Sequence, residues 1–304
     1  MLLIEYILVG SVLAALWFVT ERRHRRTRRR IQALERRLQD SAARTDRVER
    51  HVYADLAARA RSGVIPPAPA PIRFLSQFGE DALLFDLFEG KRDGFFIEAG
   101  AYDGTSLSTT FALESLGWSG LLVEPMPGRF AQCRAARPGS RVVHAALGPR
   151  GSSGTTAFEV PEAAEGAMAD LAASIRLSPA LARQVGGDHG AVVRSIRVPL
   201  TSLAALLNQA PPMSGIDVAV IDVEGFEAQV LDGLELDRYR PRVLLIEDLT
   251  HGQDARTRDL LVRHSYERVV WLGHNGLWVD ARDDALLARA KMLADGGAIR
   301  GGRS

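Results

Sequence analysis

Short apolar runs alternate with amphipathic stretches along the chain from residue 95 onward. The apolar runs predict seven strands, at residues 95–99, 120–125, 142–147, 216–222, 242–247, 266–271 and 277–279. Helices are predicted over residues 105–116 and 226–234. Because apolar strands separated by helices form a mostly parallel sheet covered on both faces, the pattern predicts an α/β fold whose last two strands close the sheet as a hairpin.

The first twenty residues form an apolar run in which Glu5 is the only charged residue. At about 1.5 Å per residue, a helix of this length just spans a hydrocarbon core of ~30 Å. Seven arginines follow between residues 22 and 30, and positive flanks stay on the cytoplasmic side. We therefore predict a single-pass anchor with the body of the chain in the cytoplasm. A helix that lies on the membrane or packs on the domain is the alternative.

The predicted domains follow from shifts in composition. Residues 21–61 combine the basic block with a helical stalk, and residues 62–72 form a proline-rich linker. Polar residues interrupt the heptad pattern of the stalk, which favours a solvated helix over a dimerising one and leaves a homo-oligomer as the alternative. Residues 73–284 form the α/β domain, and residues 285–304 form a short helix and a loose tail. Residues 150–198 are interpreted as a lid, or else as a surface excursion.

Charge and cysteine content exclude several classes of protein. Residues 21–50 carry a net charge of +7, whereas residues 51–304 carry −5. Because a nucleic-acid-binding domain is normally basic, no nucleic-acid partner is predicted. Cys133 is the only cysteine, which excludes an internal disulfide framework and an all-cysteine zinc site. Only two lysines occur among 38 basic residues, a bias that points to a GC-rich bacterial genome and hence to an inner membrane.

An acidic, glycine-containing turn follows the first strand, with the spacing Glu98-x-Gly100-x-x-x-Gly104. The spacing differs from the GxGxxG of dinucleotide sites, and Asp103 would repel a phosphate. The turn suits a ligand with an ammonium or sulfonium group, and S-adenosylmethionine carries both. Its amino-acid part can lie against the Gly100 backbone, while Glu124 at the end of the second strand can accept both ribose hydroxyls. The alternative is a helix-capping turn with a surface glutamate.

A second group of acids, Asp222, Glu224 and Glu227, lies at the end of the fourth predicted strand. Methyl transfer to a hydroxyl requires alignment of the reacting atoms and removal of a proton. Asp222 or His251 is the candidate base, and Glu224 is a further candidate catalytic residue. Acids at a helix start also complement the helix dipole, which alone could explain Glu224 and Glu227.

A divalent metal is the alternative use of these acids. Asp222, Glu224, Glu247 and Asp248 all fall at strand ends, and oxygen-rich sites suit magnesium. We do not favour this reading, and no metal is included in the preferred interpretation.

Several motifs, in this order, resemble the FkbM-family methyltransferases. The motifs are Ser76-Gln77-Phe78-Gly79-Glu80-Asp81, Phe95–Gly104, Ser108-Thr109-Thr110, Leu113-Glu114-x-x-Gly117-Trp118-x-Gly120, Val123-Glu124-Pro125, Ile221–Glu227 and Val230-Leu231-x-Gly233. The resemblance covers about residues 74–250, and its run of ordered motifs is specific where any single motif is not. Thr109 departs from the family, which often has asparagine there.

The resemblance implies a class I methyltransferase fold, a Rossmann-like sheet of seven mostly parallel strands, with S-adenosylmethionine as cofactor. It also implies O-methylation of a glycan, a lipid-linked sugar or a small secondary metabolite. Gln77 and Asp81 would close over the cofactor. The remaining cofactor contacts implied by position are Glu98, Gly100, Tyr102, Asp103, Glu124, Pro125 and Asp222.

Two other functions stay open from the sequence. A membrane-tethered, non-catalytic scaffold would suit the anchor and stalk, but it leaves the acids at the strand ends without a purpose. A nicotinamide-dependent dehydrogenase is disfavoured by Asp103 and by the missing GxGxxG. The preferred prediction is a membrane-anchored methyltransferase that acts on a small-molecule or glycan acceptor.

Overall fold

The computed structural model describes residues 72–161, 193–253 and 255–295. These residues all belong to one compact unit, Ala68–Ser304. The predicted anchor and stalk lie outside the described residues, as do the linker up to residue 71, the helix signals within 162–192 and the tail from residue 296. No helix in the part of the chain that is described has the length and apolarity needed to cross a bilayer.

The described residues form helices and strands in alternation. The helices are α1 (Glu80–Leu87), α2 (Phe111–Ser115), α3 (Pro127–Ala136), α4 (Leu203–Gln209), α5 (Glu227–Leu234), α6 (Ala255–Arg263) and α7 (Asp284–Asp295). The strands are β1 (Phe95–Ala99), β2 (Ser119–Glu124), β3 (Arg141–His144), β4 (Ala146–Leu147), β5 (Thr155–Pro161), β6 (Val193–Thr201), β7 (Val218–Ile221), β8 (Val243–Glu247), β9 (Tyr266–Leu272) and β10 (Asn275–Asp280).

Seven of the strands form one sheet in the order β3-β2-β1-β7-β8-β10-β9. Neighbouring strands are parallel except at β10, which runs antiparallel to both β8 and β9. The sheet confirms the predicted class I methyltransferase architecture, including the hairpin that closes one edge. Its parallel strands require crossover helices, which explains why helical segments separate the apolar runs.

The sheet buries both faces. On one face, alternate strand residues such as Ile97, Ala99, Leu121 and Val123 share a buried cluster with leucines of α4, α5 and α6. Intervening residues point the other way, because successive side chains of a strand alternate between faces. That second face carries Phe96 and Leu122, which are also buried, and at its carboxyl edge it carries Glu98 and Glu124.

The third predicted strand is divided between two sheets. Residues 141–144 pair with β2 in the main sheet, whereas Ala146 and Leu147 pair with β6 in a separate three-stranded sheet, β4-β6-β5. The chain therefore changes sheet at the buried Ala145. A continuous apolar run carries no signal of such a change, so the sequence predicted one strand instead of two.

Residues 150–198 are predicted to form a lid or a surface excursion, and the two described parts of this stretch contain an antiparallel pair of strands. β5 and β6 are antiparallel over residues 155–161 and 193–199. Phe158 and Val160 are buried with Val198 and Met126 in a second small core. The two flanks of the stretch are thus folded against the domain, while residues 162–192 lie outside the described part.

The helix predicted over residues 105–116 is much shorter, since α2 spans only Phe111–Ser115. The preceding residues form side-chain hydrogen bonds that compete with helix formation. Asp103 accepts from the amides of Thr105 and Ser106, and Glu98 accepts from the amide of Thr109. Polar residues of the connection are therefore held in turns, and the helix begins after them.

Candidate functional site

A cavity opens at the carboxyl edge of the main sheet. Ala99 of β1 pairs with Val123 of β2 on one side and with Ile221 of β7 on the other. The residues that follow these three, Gly100, Glu124 and Asp222, therefore emerge side by side. The cavity holds about 680 Å³ of open space including its mouth, and its lining consists of Gly100, Tyr102, Val123, Glu124, Pro125, Met126, Ala145, Ala146, Leu147, Phe158, Asp222, Val223, Glu224 and Phe226.

Gly100 is a glycine because of the backbone around it. Its φ is +84°, a left-handed conformation that side chains disfavour, and a Cβ there would lie 1.9 Å from the carbonyl oxygen of Asp222. Its amide donates to Val123. The sequence predicts that Gly100 lets a ligand approach the backbone, and Gly100 does line the cavity. The close contact with Asp222 shows that the glycine first allows β1 and β7 to end together.

Two glycine substitutions should separate the cost of a left-handed backbone from the cost of a steric clash between a Cβ at position 100 and the Asp222 carbonyl. Gly79 has nearly the same φ, +83°, but a Cβ there would meet nothing within 4 Å. We expect Gly79→Ala to lower the free energy of unfolding by about 1 kcal/mol, the cost of the left-handed conformation alone. Gly100→Ala should cost about 1–2 kcal/mol more, because the backbone must move as well. Urea denaturation measures both, and equal losses would contradict the collision with Asp222.

Glu124 is buried at the end of β2, and its carboxylate joins both walls of the cavity. Oε2 accepts from the Tyr102 amide at 2.8 Å, and Oε1 accepts from the Met126 amide at 2.7 Å. These two bonds hold the carboxylate at the end of β2, between Tyr102 and Met126. The predicted cofactor residues Gly100, Tyr102, Glu124, Pro125 and Asp222 thus lie around one cavity.

Two other predicted cofactor residues, Glu98 and Asp103, do not line this cavity. The buried Glu98 accepts from Ser108, Thr110 and the Thr109 amide. Asp103 accepts from Thr105 and Ser106. Burial would raise the pKa of Asp103, but the hydrogen bonds from Ser106 and Thr105 outweigh it and lower the pKa. Both acids hold the turn that shapes the cavity, and direct cofactor contact stays a prediction for them.

Gln77 and Asp81 lie in the segment before α1. Gln77 is exposed, and Asp81 is buried with its carboxylate accepting from the amides of Leu75, Ser76 and Ala82. Burial raises the pKa of Asp81 to about 6 although these hydrogen bonds oppose the rise. Asp81 therefore fixes its own segment, and the predicted closure over the cofactor stays a prediction for both residues.

Three of the four candidate metal ligands come together. Carboxylate oxygens of Asp222, Glu224 and Glu247 lie within 4.8 Å of one another. Asp248 does not belong to this group, because its carboxylate accepts from Thr250 and from the Gly252 amide in the following turn. Three carboxylates at this spacing could ligate a hard divalent cation or could share protons.

The same three acids repel one another. Desolvation is the main cause of a raised pKa at Asp222, Glu224 and Glu247, and neighbouring carboxylates raise each further. Asp222 is exposed to the cavity, but protein surrounds it on the other sides, so its charge is poorly solvated. The hydrogen bond between Glu247 and Asp222 raises the pKa of Glu247 and lowers that of Asp222. Glu247 is therefore the partner that holds the proton and donates it in a hydrogen bond to Asp222.

The stability of the unliganded protein should fall as pH rises. Burial raises the pKa of Glu224 to about 8 and that of Glu227 to about 7, from 4.5. A carboxyl that holds its proton more tightly in the folded state stabilises the fold fully below the unfolded pKa and loses that effect as pH passes the folded pKa. We expect the melting temperature to decline between about pH 5 and about pH 9.

The variant Glu224→Gln tests the origin of this decline, because glutamine mimics the protonated carboxyl. In this variant the melting temperature should change less with pH between about pH 7 and about pH 9 than it does in the parent. A melting temperature that is constant or rises over the whole range would contradict the raised pKa values.

His251, the second candidate base, lies apart from the residues that line the cavity. It is exposed, and its ring forms an aromatic strip with neighbouring rings. Its Nε2 is 3.3 Å from Nδ1 of His274, and its ring centroid is 5.5 Å from that of Trp271. Asp222 rather than His251 therefore faces the cavity. Glu227 also lies outside the lining, since it accepts from the amides of Val223 and Gly225 at the start of α5.

The sequence interpretation missed two parts of the site. The apolar wall formed by Ala145, Leu147 and Phe158 comes from the change of sheet and from the pairing of β5 with β6, which no local pattern indicates. Arg137, whose side chain is completely buried, bonds to Glu98 and Glu114. The sequence around Arg137 is typical of an exposed residue near the end of a polar helix. Only Glu98 and Glu114, which belong to the family motifs, could have indicated that a buried cation pairs with them.

Comparison with known sequences identifies one family. The model of the methyltransferase FkbM domain matches residues 98–268, more than half of the chain. The match spans β1 to β9 and includes Glu124, Asp222 and Glu247. No curated protein matches the chain.

Comparison with solved structures returns methyltransferases at low identity. The O-methyltransferase from Bacillus cereus in complex with SAH is 10% identical with a TM-score of 0.34, and the alignment covers 74% of this chain and 87% of that one. The C-terminal domain of precorrin-6Y C5,15-methyltransferase from Rhodobacter capsulatus is 14% identical with a TM-score of 0.34, covering 66% and 85%. Aeropyrum pernix fibrillarin with bound S-adenosyl-L-methionine is 13% identical with a TM-score of 0.32, covering 66% and 75%.

Proposed function

The chain belongs to the FkbM methyltransferase family, and we propose that it methylates a hydroxyl oxygen of a glycan, a lipid-linked sugar or a small metabolite. One observation carries the proposal. Gly100, Glu124 and Asp222 end three adjacent strands and line one cavity. This edge of a parallel sheet is where α/β folds bind their ligands. The cavity thus combines a site for a nucleoside with a carboxylate that can accept a proton.

S-adenosylmethionine is the methyl donor of this methyltransferase, and it supplies an electrophilic methyl group on a sulfonium. The residues fit such a cofactor. Glu124 places a buried carboxylate in the cavity lining, where ribose hydroxyls can donate to it, and the carboxyl group of Asp222 suits a ligand that carries positive charge. Met126, Leu147 and Phe158 offer the apolar lining that a purine ring needs.

Asp222 is the proposed general base. Its raised pKa makes it a stronger proton acceptor than an exposed aspartate, and proton transfer by a positioned base contributes about 10²–10⁴-fold to rate. Glu247 donates a hydrogen bond to Asp222 and so orients the accepting oxygen. Glu224 lies beside them and adds negative charge as pH rises. Asp222 would take the proton of the acceptor hydroxyl as the new carbon–oxygen bond forms.

The test of the reaction uses S-adenosylmethionine carrying a labelled methyl group, incubated with the full chain and with lipid and glycan fractions of bacterial envelopes. The label should enter one fraction as a methyl ether, which resists mild alkali. Alkali-labile label would indicate a methyl ester on a carboxylate, and either that result or label on nitrogen would contradict methylation of a hydroxyl. Activity that survives EDTA supports Asp222 as the base. Loss with EDTA and recovery with Mg²⁺ would instead make Asp222, Glu224 and Glu247 metal ligands.

We also propose that residues 1–20 anchor the enzyme in a bacterial inner membrane with the domain on the cytoplasmic side. The support is the apolar run and the seven arginines that follow it. The full chain should stay with membranes in alkaline carbonate, and a C-terminal reporter should be active only in the cytoplasm. Release by carbonate would reduce the anchor to a surface helix, and a reporter active only outside would contradict the orientation.

A further inference from the structure

Arg137 is a buried cation behind the cavity. It follows the last residue of α3, and its side chain has no exposed surface. Nε donates to Glu114 at 2.8 Å, and Nη1 donates to the Gly104 carbonyl at 3.1 Å. Nη2 donates to the hydroxyl of Thr110 at 2.9 Å and to its carbonyl at 3.2 Å. The guanidinium thus bridges α3, α2 and the segment between β1 and α2.

Glu98 completes this bridge from the sheet. Its carboxylate accepts from Thr110 Oγ1 at 2.6 Å and from the Thr109 amide at 3.1 Å, and it lies 3.5 Å from Nη1 of Arg137. The Ser108 hydroxyl contacts both charged groups. Because a buried ion pair needs its remaining donors and acceptors satisfied, these bonds fix residues 104–110 in one arrangement.

The first turn of α3 contacts the start of the same segment, because the Arg129 guanidinium lies 4.2 Å from the centre of the Tyr102 ring. The Met126 amide, just before α3, donates to Glu124 at the end of β2. Between these points, a Cβ on Gly104 would lie 2.9 Å from both Cys133 Sγ and Arg137 Cγ. The segment from Gly100 to Thr110 is therefore held against α3 along its length.

We propose that Arg137 is a positioning residue for the cofactor. By clamping residues 104–110 to the end of α3, it holds Tyr102 and Glu124 in the arrangement that forms the nucleoside side of the cavity. The inference rests on the proposed function, because it assigns the cofactor to that side. Arg137 itself does not line the cavity and acts only through the segment that it holds.

The variant Arg137→Lys tests the role. Lysine keeps the charge, but its single ammonium group cannot reach Glu114, Gly104 and Thr110 together as the guanidinium does. We expect S-adenosylhomocysteine, measured by calorimetry, to bind roughly tenfold more weakly, since small displacements of positioning groups can cost up to ~10²-fold. Thr110→Val, which removes the hydroxyl shared by Glu98 and Arg137, should weaken binding in the same direction by a smaller factor.

Arg240→Lys is the matched control. Arg240 pairs with both oxygens of Asp280, at 2.7 and 2.9 Å, and bonds to the His264 carbonyl, on the hairpin side of the sheet. Its side chain is only 15% exposed, so the same replacement should also lower the melting temperature. Its affinity for S-adenosylhomocysteine should stay within about twofold of the parent, because Arg240 touches no segment of the cavity.

The outcomes separate this inference from the proposed function. A parent that does not bind S-adenosylhomocysteine contradicts the proposed function itself. If the parent and Arg137→Lys bind S-adenosylhomocysteine equally well, the positioning role of Arg137 is overturned and the proposed function is not. If Arg137→Lys does not fold, Thr110→Val decides, and parent-like affinity in that variant overturns the role as well.

Discussion

Replacing Asp222 with asparagine should lower the turnover rate by roughly 10²–10⁴-fold, the contribution of a positioned base. Asparagine has the size of aspartate and can still accept a hydrogen bond from Glu247, so the fold should persist. Affinity for S-adenosylhomocysteine should change little, because that product lacks the sulfonium charge to which the Asp222 carboxylate responds. Initial rates with labelled S-adenosylmethionine, together with calorimetry, separate the two effects.

Glu247→Gln is the matched control for Asp222→Asn. Glu247 holds a proton near neutral pH, and the glutamine amide can donate to Asp222 in its place. We expect this variant to keep most of its turnover although it also loses one acid from the cluster. An Asp222→Asn variant with near-parent turnover would contradict the role of base and leave Asp222 as a strand-end residue. His251 would then be the next residue to test.

Replacing Glu124 with alanine should weaken binding of S-adenosylhomocysteine by roughly 2–4 kcal/mol. Two charge-assisted hydrogen bonds to ribose hydroxyls are lost, each worth about 1.5–3 kcal/mol, and water replaces part of the loss. The structure adds a second reason, because the Tyr102 and Met126 amides also lose their acceptor. Titration calorimetry with S-adenosylhomocysteine measures the loss.

Glu124→Gln separates the two reasons. The glutamine carbonyl can still accept one of the two amides but cannot accept at both positions, so its loss of affinity should be smaller than that of alanine. Melting curves identify any variant that is merely unfolded. A folded Glu124→Ala variant that binds like the parent would show that Glu124 only ties the strand end to its neighbours.

The sequence predicts the main sheet because its strands are buried on both faces. Their apolar runs, such as residues 218–221 and 243–246, are continuous and end at polar residues. The shorter helix α2 and the division at Ala145 could not be predicted in this way. Both result from contacts between distant residues, the Glu98 carboxylate with residues 108–110 and the pairing of Leu147 with Thr201.

The candidate site could be predicted where the sequence places an acid or a glycine directly after a strand. Gly100 directly follows β1, Glu124 is the last residue of β2, and Asp222 directly follows β7. The order of these strands in the sheet brings the three residues together. Glu98 and Asp103 are also acids near the end of a strand, yet they do not line the cavity, and their carboxylates accept from neighbouring amides and hydroxyls. Only the three-dimensional arrangement distinguishes acids that line the cavity from acids that hold the turn behind it.

Binding of S-adenosylmethionine in this cavity can be measured without knowing the acceptor, by calorimetric titration of the purified full chain. S-adenosylmethionine, S-adenosylhomocysteine and NAD are titrated in turn into the parent and into Glu124→Ala. We expect one binding site per chain for the first two ligands, a lower affinity for both in Glu124→Ala, and no binding of NAD. Binding of NAD in place of the other two, or of none of the three, would contradict this expectation.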